Sequence, residues 1–168
     1  MSEPAPSILF VCLGNICRSP LAEGIFLDIA KKRGIEGLVV DSCGTGGWHQ
    51  GERADRRALA VAESRGVHLP SRARQIRPSE DFSDFTHLVA MDASNVQDLL
   101  ELGAPEHRLR LMRSYDPAHR DGHPPDVPDP YYGGDDGFDQ VFDMLLAACG
   151  GLLDEIARVR GASVREDS

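Results

Sequence analysis

Short apolar runs alternate with segments of helical periodicity along most of this chain, and that alternation restricts the fold more than any other feature. The first run, Ile8 to Val11, contains no polar residue and suits a strand that is buried on both faces. Because parallel strands need crossover connections, repeated strand–helix units predict a parallel sheet with helices on both faces. We predict strands at 8–11, 38–40, 87–91 and 108–111, and helices at 20–34, 54–65, 94–102 and 138–159. The prediction is therefore an α/β fold built on a four-stranded parallel sheet.

Length, charge and hydropathy place further limits on the protein. With 168 residues, the chain is expected to form one domain over 1–168, with a core at about 7–158, polar tails and a long loop at 115–137. Its formal net charge of −9 disfavours nucleic acid and anionic membrane surfaces as partners. No apolar run approaches the ~20 residues that cross a membrane, and the first residues lack the pattern of a signal peptide. We therefore expect a cytoplasmic protein without membrane contacts.

The cysteines predict neither a disulfide framework nor a metal site. Structural disulfides are rare in cytosolic proteins, and no Cys-x-x-Cys or histidine pair provides metal-ligand spacing. We expect Cys43 and Cys149 to be core residues. We also expect a monomer that uses no metal and no cofactor.

The loop after the first strand carries the strongest chemical signal. It reads Cys-Leu-Gly-Asn-Ile-Cys-Arg-Ser-Pro from Cys12 to Pro20, and ligands of open α/β sheets bind at this edge of the sheet. Inward-facing backbone N–H groups and a helix N-terminus can surround an anion, and Gly14 is expected to allow a backbone angle that side chains forbid. Arg18 offers a planar fork that matches two phosphate oxygens. The expected phosphate-binding residues are Leu13, Gly14, Asn15, Ile16, Cys17 and Arg18.

The same surroundings favour the thiolate form of Cys12. A helix N-terminus and a nearby guanidinium stabilise a thiolate, which is the nucleophilic form of cysteine. A thiolate that faces a bound phosphoryl group can displace the leaving group in line. A lone cysteine at a strand end is most often a small buried side chain, but the Cys-x5-Arg spacing favours a nucleophile here. A Walker-type nucleotide loop is excluded because the Gly-Lys-Ser/Thr ending is missing.

The chain from Cys12 to Pro20 matches the signature Cys-x-Gly-Asn-x-Cys-Arg-Ser-Pro at every fixed position, and here the sequence resembles the low-molecular-weight protein-tyrosine phosphatases. The resemblance covers about residues 7–158. It continues in Asp41–Ser42, Gly46–Gly47–Trp48–His49, Ala73–Arg74–Gln75–Ile76, Met91–Asp92 with Asn95, and Asp129–Pro130–Tyr131–Tyr132–Gly133. It implies that family's fold, and hydrolysis of phosphotyrosine in partner proteins through a cysteinyl-phosphate intermediate on Cys12.

The resemblance also implies a general acid. An aspartate between prolines is most often a solvated turn residue. From spacing alone, Asp129 would therefore be interpreted as a turn residue and not as an acid. In the family, however, the aspartate of this motif protonates the leaving group and later activates water. Asp126 and Asp116 are weaker candidates for the same role.

Aromatic residues are expected to form the walls of the substrate cleft. By the resemblance, Trp48 forms one wall and Tyr131 and Tyr132 the other, although partial burial in the core is the ordinary alternative for each. A deep anion site between aromatic walls suits phosphotyrosine, because phosphoserine is too short to reach the same thiolate.

Several polar residues are expected to support the loop. Asn15 and Ser42 are expected to hydrogen-bond it, and Asp92 to act as a further supporting residue. Ser19 is expected to cap the helix that Pro20 starts, and it can donate to the Cys12 sulfur. Simple turn and capping chemistry is the alternative for these residues.

Two features of the supporting residues leave alternatives open. Cys17 can form a reversible disulfide with oxidised Cys12, or it can be a packed small side chain. Ser71 stands where the family usually has a histidine that supports the loop asparagine. Ser71 can still donate a hydrogen bond, but it is shorter, so the rigidity of the loop and its pH behaviour are expected to differ.

Three other functions are alternatives to phosphotyrosine hydrolysis. Arsenate reductases of this fold relay electrons through further cysteines, and no cysteine lies between Cys43 and Cys149. Phosphoarginine phosphatases carry a threonine just before the second loop cysteine, where this chain has Ile16. A silent phosphopeptide-binding module is expected to lack Cys12 or Asp129, and both are present.

Overall fold

The computed structural model describes residues 5–119, 122–134 and 136–166, with the backbone alone for Tyr132 and 160–166. Its strands are β1 (Ser7–Cys12), β2 (Val39–Gly44), β3 (His87–Ala90) and β4 (Leu109–Leu111). All neighbours are parallel, in the order β2-β1-β3-β4, which confirms the predicted four-stranded sheet. The helices are α1 (Arg18–Lys32), α2 (Arg56–Ser64), α3 (Pro78–Asp84), α4 (Ala93–Glu101) and α5 (Gly137–Glu166).

The central strand β1 is buried along its whole length and separates two hydrophobic cores. Because successive side chains of a strand point to opposite faces, Ile8, Phe10 and Cys12 join the core formed with α1, α2 and α5. Leu9 and Val11 join the core formed with α3 and α4. The predicted placement of helices on both faces is thus confirmed, and Cys12 ends β1 next to the start of α1.

The segment expected to be a long loop, 115–137, contains short 3₁₀ turns at Pro117–His119 and Pro130–Tyr132, and a third turn, Met112–Tyr115, leads into it. The helix α5 then packs against this segment. A Cβ at Gly151 would overlap the Tyr115 carbonyl, so only glycine permits this close approach. The predicted end of α5 at residue 159 is wrong, since the helix continues to Glu166 and a single glycine at 161 costs only about 1 kcal/mol. Neither α5 nor any other described helix has the length and apolar character needed to cross a membrane.

Two further elements differ from the sequence-based expectation. The helix α3 was not predicted, because it has only seven residues and carries Pro78 and two acidic residues at its start instead of a long apolar stripe. The strand β2 was predicted to end at residue 40 but continues to Gly44. Its last residues include the polar pair Asp41 and Ser42, which do not resemble a buried strand in sequence, although Ser42 is fully buried.

Candidate active site

A pocket of about 320 Å³ opens at the carboxyl end of β1. It gathers residues from the loop at 12–18, called the cysteine loop below, from the segment after β2 and from the 3₁₀ turn at Pro130–Tyr132. Its lining residues are Cys12, Leu13, Gly14, Ile16, Cys17, Arg18, Trp48, His49, Asp129 and Tyr131. Residues that are distant in sequence therefore meet where the sequence analysis placed the ligand site.

The backbone of the cysteine loop turns its carbonyl groups outward. The carbonyls of Cys12, Leu13 and Ile16 accept hydrogen bonds from residues 45, 46 and 55, at 2.9, 2.9 and 2.7 Å. Within the described ranges, the N–H groups of Gly14, Ile16 and Cys17 have no hydrogen-bond partner in the protein. The first N–H groups of α1 add further donors at the same place. This arrangement gives the loop the character of an anion-binding site.

Asn15 holds the loop in its curved conformation. Its φ is 58°, the left-handed region in which asparagine is one of the more tolerant residues. Its Nδ2 donates to Ser19 at 2.8 Å and Ser42 at 3.0 Å, and its Oδ1 accepts from the Arg74 N–H at 3.0 Å. The expectation for Gly14 is wrong, because the positive φ belongs to Asn15 instead. Gly14 provides space, since a Cβ there would lie 3.2 Å from the His49 ring.

The Cys12 sulfur lies among hydrogen-bonding groups. Ser19 Oγ is 2.9 Å from Cys12 Sγ, and the Asn15 N–H donates to the same sulfur at 3.3 Å. The expectation that Ser19 caps α1 is wrong, because Cys17 is the N-cap residue and Ser19 lies inside the first turn. The Ser19 hydroxyl is directed to the sulfur and to the Cys43 carbonyl instead, at 3.3 Å from the latter.

The thiols of Cys17, Cys43 and Cys149 have raised pKa values. Burial, together with the negative charge of Asp55, raises the pKa of Cys17 well above its usual value. Burial also raises the pKa values of Cys43 and Cys149. Both residues lie in the core, as expected from the sequence, and all four cysteines are free thiols.

Arg18 is only 3% exposed, and two hydrogen bonds hold its guanidinium in place. Its Nη1 donates to Asp92 Oδ2 at 2.7 Å and to the Val127 carbonyl at 2.9 Å. Burial acts to lower the pKa of Arg18, but the electrostatic effect of the neighbouring Cys12 and the hydrogen bond and charge of Asp92 raise it, so the guanidinium stays charged. Asp92 uses its other oxygen to cap α4, accepting from the Asn95 N–H at 2.7 Å.

Glu23 is a supporting residue that the sequence analysis missed. It is only 2% exposed, and its carboxyl group accepts from Ser42 at 2.6 Å and from Ser71 at 2.7 Å. Burial raises the pKa of Glu23, against the opposing effect of the two serine hydrogen bonds. Ser71 therefore supports Asn15 indirectly, through Glu23 and Ser42. The signal in the sequence was helical spacing, because Glu23 lies four residues after Ser19 and thus on the same face of α1.

Asp129 lies across the pocket from the cysteine loop. Its Oδ2 is 3.8 Å from Arg18 Nη2, and its Oδ1 accepts from the Tyr131 N–H at 3.0 Å. The weaker acid candidates do not line the pocket. Asp126 accepts from the Ala93 N–H at 3.0 Å, and Asp116 accepts from the Ala118 N–H at 2.9 Å.

Trp48 and Tyr131 form two exposed walls of the pocket. The Trp48 ring lies against Gly46, where any Cβ would overlap it. His49, which pairs with Glu52, also lines the pocket, and the sequence analysis assigned it no role. The side chain of Tyr132 lies outside the described part of the structure.

Arg57 connects Tyr131 to the cysteine loop. Its guanidinium lies over the Tyr131 and Phe138 rings, 5.2 and 4.7 Å from their centroids, and donates to the Tyr131 carbonyl at 3.2 Å. It also contacts both carboxylate oxygens of Asp55, whose N–H donates to the Ile16 carbonyl at 2.7 Å. The wall and the loop are thus joined through two charged residues.

Metal ligands are not assembled at this site. Over the described ranges, no group of three or more His, Cys, Asp or Glu residues is arranged to hold a metal ion.

Comparison with known proteins gives similarities that include the whole pocket. The family model described as low molecular weight phosphotyrosine protein phosphatase matches residues 7–162. The low molecular weight protein-tyrosine-phosphatase of Streptomyces coelicolor is 49% identical over 150 residues, which are 87% of this chain and 90% of the relative. A protein tyrosine phosphatase crystal structure from Entamoeba histolytica superposes with a TM-score of 0.84 at 37% identity, covering 92% of this chain and 99% of that one. The crystal structure of YfkJ from Bacillus subtilis superposes with a TM-score of 0.83 at 37% identity, covering 93% of this chain and 97% of that one.

Proposed function

Because this chain belongs to the low molecular weight phosphotyrosine protein phosphatase family, a family of hydrolases, we propose that it hydrolyses phosphotyrosine in proteins through a phosphorylated Cys12. One observation carries the proposal. The Cys12 sulfur, the unpartnered N–H groups of the cysteine loop, Arg18 and Asp129 all border one pocket. In this proposal a single domain supplies every reacting group, and no cofactor takes part.

The first step is phosphoryl transfer to sulfur. The loop N–H groups and Arg18 hold the phosphate oxygens, so the phosphorus faces the Cys12 thiolate. The sulfur attacks in line, the S–P bond forms and the bond from phosphorus to the tyrosine oxygen breaks. Asp129, in its acid form, gives its proton to the leaving phenolate. Because the donors are already in position, little reorganisation is needed as charge shifts in the transition state.

The second step returns the enzyme to its starting state. Asp129, now a carboxylate, takes a proton from water, and the water oxygen attacks the phosphorus. The S–P bond breaks, inorganic phosphate forms and the sulfur leaves as a thiolate. Ser19, 2.9 Å from the sulfur, and the Asn15 N–H stabilise the negative charge on that leaving group.

The walls support selectivity for an aryl phosphate. Trp48 and Tyr131 present aromatic surface on the pocket, where the substrate ring can stack between them. A phosphoserine side chain is shorter and has no ring, so it loses both the reach and the stacking. The partners in this proposal are therefore proteins that carry phosphotyrosine.

A peptide panel tests the proposal. Steady-state rates are measured on matched phosphotyrosine, phosphoserine and phosphoarginine peptides with the unsubstituted protein, Cys12→Ser and a Cys149→Ala control. We expect turnover of the phosphotyrosine peptide by the unsubstituted protein and the control, and a loss of at least about 10³-fold in Cys12→Ser. Preference for another phosphoamino acid, or full activity of Cys12→Ser, would contradict the proposal.

A further inference from the structure

A second depression adjoins the active-site pocket and shares two residues with it. This groove, of about 300 Å³, is lined by Leu13, Thr45, Gly46, Trp48, Asp98, Glu101 and Leu102. Leu13 and Trp48 also line the pocket that contains Cys12. A chain that places its phosphotyrosine in the pocket therefore passes directly beside the groove.

The groove has an exposed apolar side. Leu13 is 43% exposed, Trp48 73% and Leu102 45%, although all three are large hydrophobic residues. Adjacent exposed side chains of this kind mark interaction surfaces more often than isolated ones do. Because Gly46 leaves space for the Trp48 ring, the indole presents a flat surface at this place.

The other side of the groove is acidic. Asp98 and Glu101 are three residues apart on α4, which places both on the same face of the helix. In the part of the chain that the structure describes, neither carboxylate forms an ion pair. Other carboxylates around the active site do pair with arginines, namely those of Asp41, Asp55, Asp81 and Asp92.

We propose that this groove binds an arginine or lysine side chain of the substrate protein, close in sequence to its phosphotyrosine. The aliphatic stem lies on Leu13 and Leu102, and the cationic head reaches Asp98 and Glu101, as long basic side chains do on apolar surfaces beside water. The Trp48 face adds a cation–π contact. The inference rests on the proposed function and adds to it a preference among phosphotyrosine sites.

A second copy of this chain is the other occupant to consider. With a formal net charge of −9, two copies repel each other, and an acidic groove has no general attraction for an acidic protein. Charge complementarity therefore favours a basic segment of a substrate.

The test compares phosphotyrosine peptides that differ only in one flanking residue, arginine or its neutral isostere citrulline, moved through the positions on either side of the phosphotyrosine. We expect the unsubstituted protein to have a kcat/KM roughly threefold to tenfold higher for the arginine peptide at one or more positions, the range that two exposed ion pairs provide. The preference should shrink as salt rises from about 0.05 M to about 0.5 M. Equal kcat/KM values at every position would overturn the inference.

A pair of double variants locates the preference. In Asp98→Asn/Glu101→Gln the ratio of the two kcat/KM values should fall to about one. The control Asp84→Asn/Glu106→Gln removes the same charge from the segments before β3 and β4, at the opposite end of the sheet, and should keep the ratio. If both double variants keep the ratio, or both lose it, the groove is not its source.

Two further outcomes are distinguishable. If the unsubstituted protein turns over neither p-nitrophenyl phosphate nor any phosphotyrosine peptide, the proposed function fails. Turnover without an arginine preference overturns only the inference that the groove binds a basic side chain. A dimer seen by light scattering in the unsubstituted protein but not in Asp98→Asn/Glu101→Gln would identify a second copy as the occupant and overturn the inference.

Discussion

The guanidinium of Arg57 lies 5.2 Å from the centroid of the Tyr131 ring and donates a hydrogen bond to the carbonyl of the same residue. Asp129 accepts from the Tyr131 N–H, so the turn that holds Tyr131 also carries the proposed acid. Arg57 is therefore a positioning residue for one wall of the pocket and for Asp129.

Replacing Arg57 should loosen that wall. In Arg57→Ala we expect KM for a phosphotyrosine peptide to rise several-fold. The Tyr131 ring loses its cation–π contact and the Tyr131 carbonyl loses a hydrogen bond, and each loss weakens the hold on this wall of the pocket. The measurement is steady-state kinetics with kcat and KM resolved separately.

Arg65 provides the matched control for this change. Its guanidinium lies 4.6 Å from the Phe142 centroid and pairs with Asp143 at 2.8 Å, but it does not line the pocket. Arg65→Ala should leave KM unchanged. An equal rise of KM in both variants would mean that loss of an arginine–aromatic contact acts through general stability.

The proposed acid role of Asp129 predicts a dependence on the leaving group. In Asp129→Asn we expect a loss of about 10²–10⁴-fold for aryl phosphates whose phenols are weak acids. The loss of the phosphoryl-transfer rate should be much smaller for activated phenols, which leave without a proton. The measurement is a burst-phase rate for a series of substituted phenyl phosphates, with Asp126→Asn as the control. The same loss across the series would argue against proton donation by Asp129.

Asn15 combines a positive φ with three side-chain hydrogen bonds, and two variants separate these effects. Asn15→Gly removes the hydrogen bonds and the strain together, whereas Asn15→Ala removes the hydrogen bonds but keeps a β-carbon in the left-handed region, at about 1–2 kcal/mol. We expect both variants to bind inorganic phosphate more weakly, and Asn15→Ala to have the lower free energy of unfolding. Urea denaturation compares the variants, and equal unfolding energies would contradict the strain argument.

The buried Glu23 predicts a specific pH dependence of stability. Its pKa is raised in the folded protein, so the folded state keeps a proton that the unfolded state releases near the ordinary glutamate pKa of about 4.3. As pH rises from there through the raised value, the unfolded state binds fewer protons, and the free energy of unfolding falls. Glu23→Gln cannot titrate, so it should lose less stability over this range than the unsubstituted protein.

Denaturation in urea at a series of pH values measures this difference. Glu63→Gln, a substitution at an exposed position of α2, corrects for the removal of one carboxylate. Parallel curves for Glu23→Gln and the unsubstituted protein would contradict a raised pKa at Glu23.

The fold and the cysteine loop were predictable because the information is local. β1 is apolar after Ser7, and the residues from Cys12 to Pro20 are contiguous, so a short stretch of sequence specifies both the strand end and the proposed anion site. Asp129 and Trp48 are distant in sequence, and no spacing rule connects them to Cys12. They were placed by resemblance to a family, and the parallel topology explains why their segments meet at one edge of the sheet.

The features that were missed depend on tertiary contacts. Glu23 resembles an ordinary surface residue of a helix until Ser42 and Ser71 are placed against it. The positive φ was expected at a glycine because glycine adopts it most readily, yet Asn15 adopts it since every polar group of its side chain is hydrogen-bonded. Arg57, which also pairs with Asp55, contacts Tyr131 across 74 residues, and no periodicity indicates that contact.

The central claim is that the Cys12 sulfur receives the phosphoryl group. Its most direct test is acid quenching during turnover of a phosphotyrosine peptide, followed by mass spectrometry of the fragment that contains Cys12. We expect one phosphoryl group on Cys12, at higher occupancy in Asp129→Asn when an activated phenyl phosphate is the substrate, because water activation is then impaired. Continued turnover with no phosphoryl group on Cys12 in either protein, or with the group on another residue, would contradict the account.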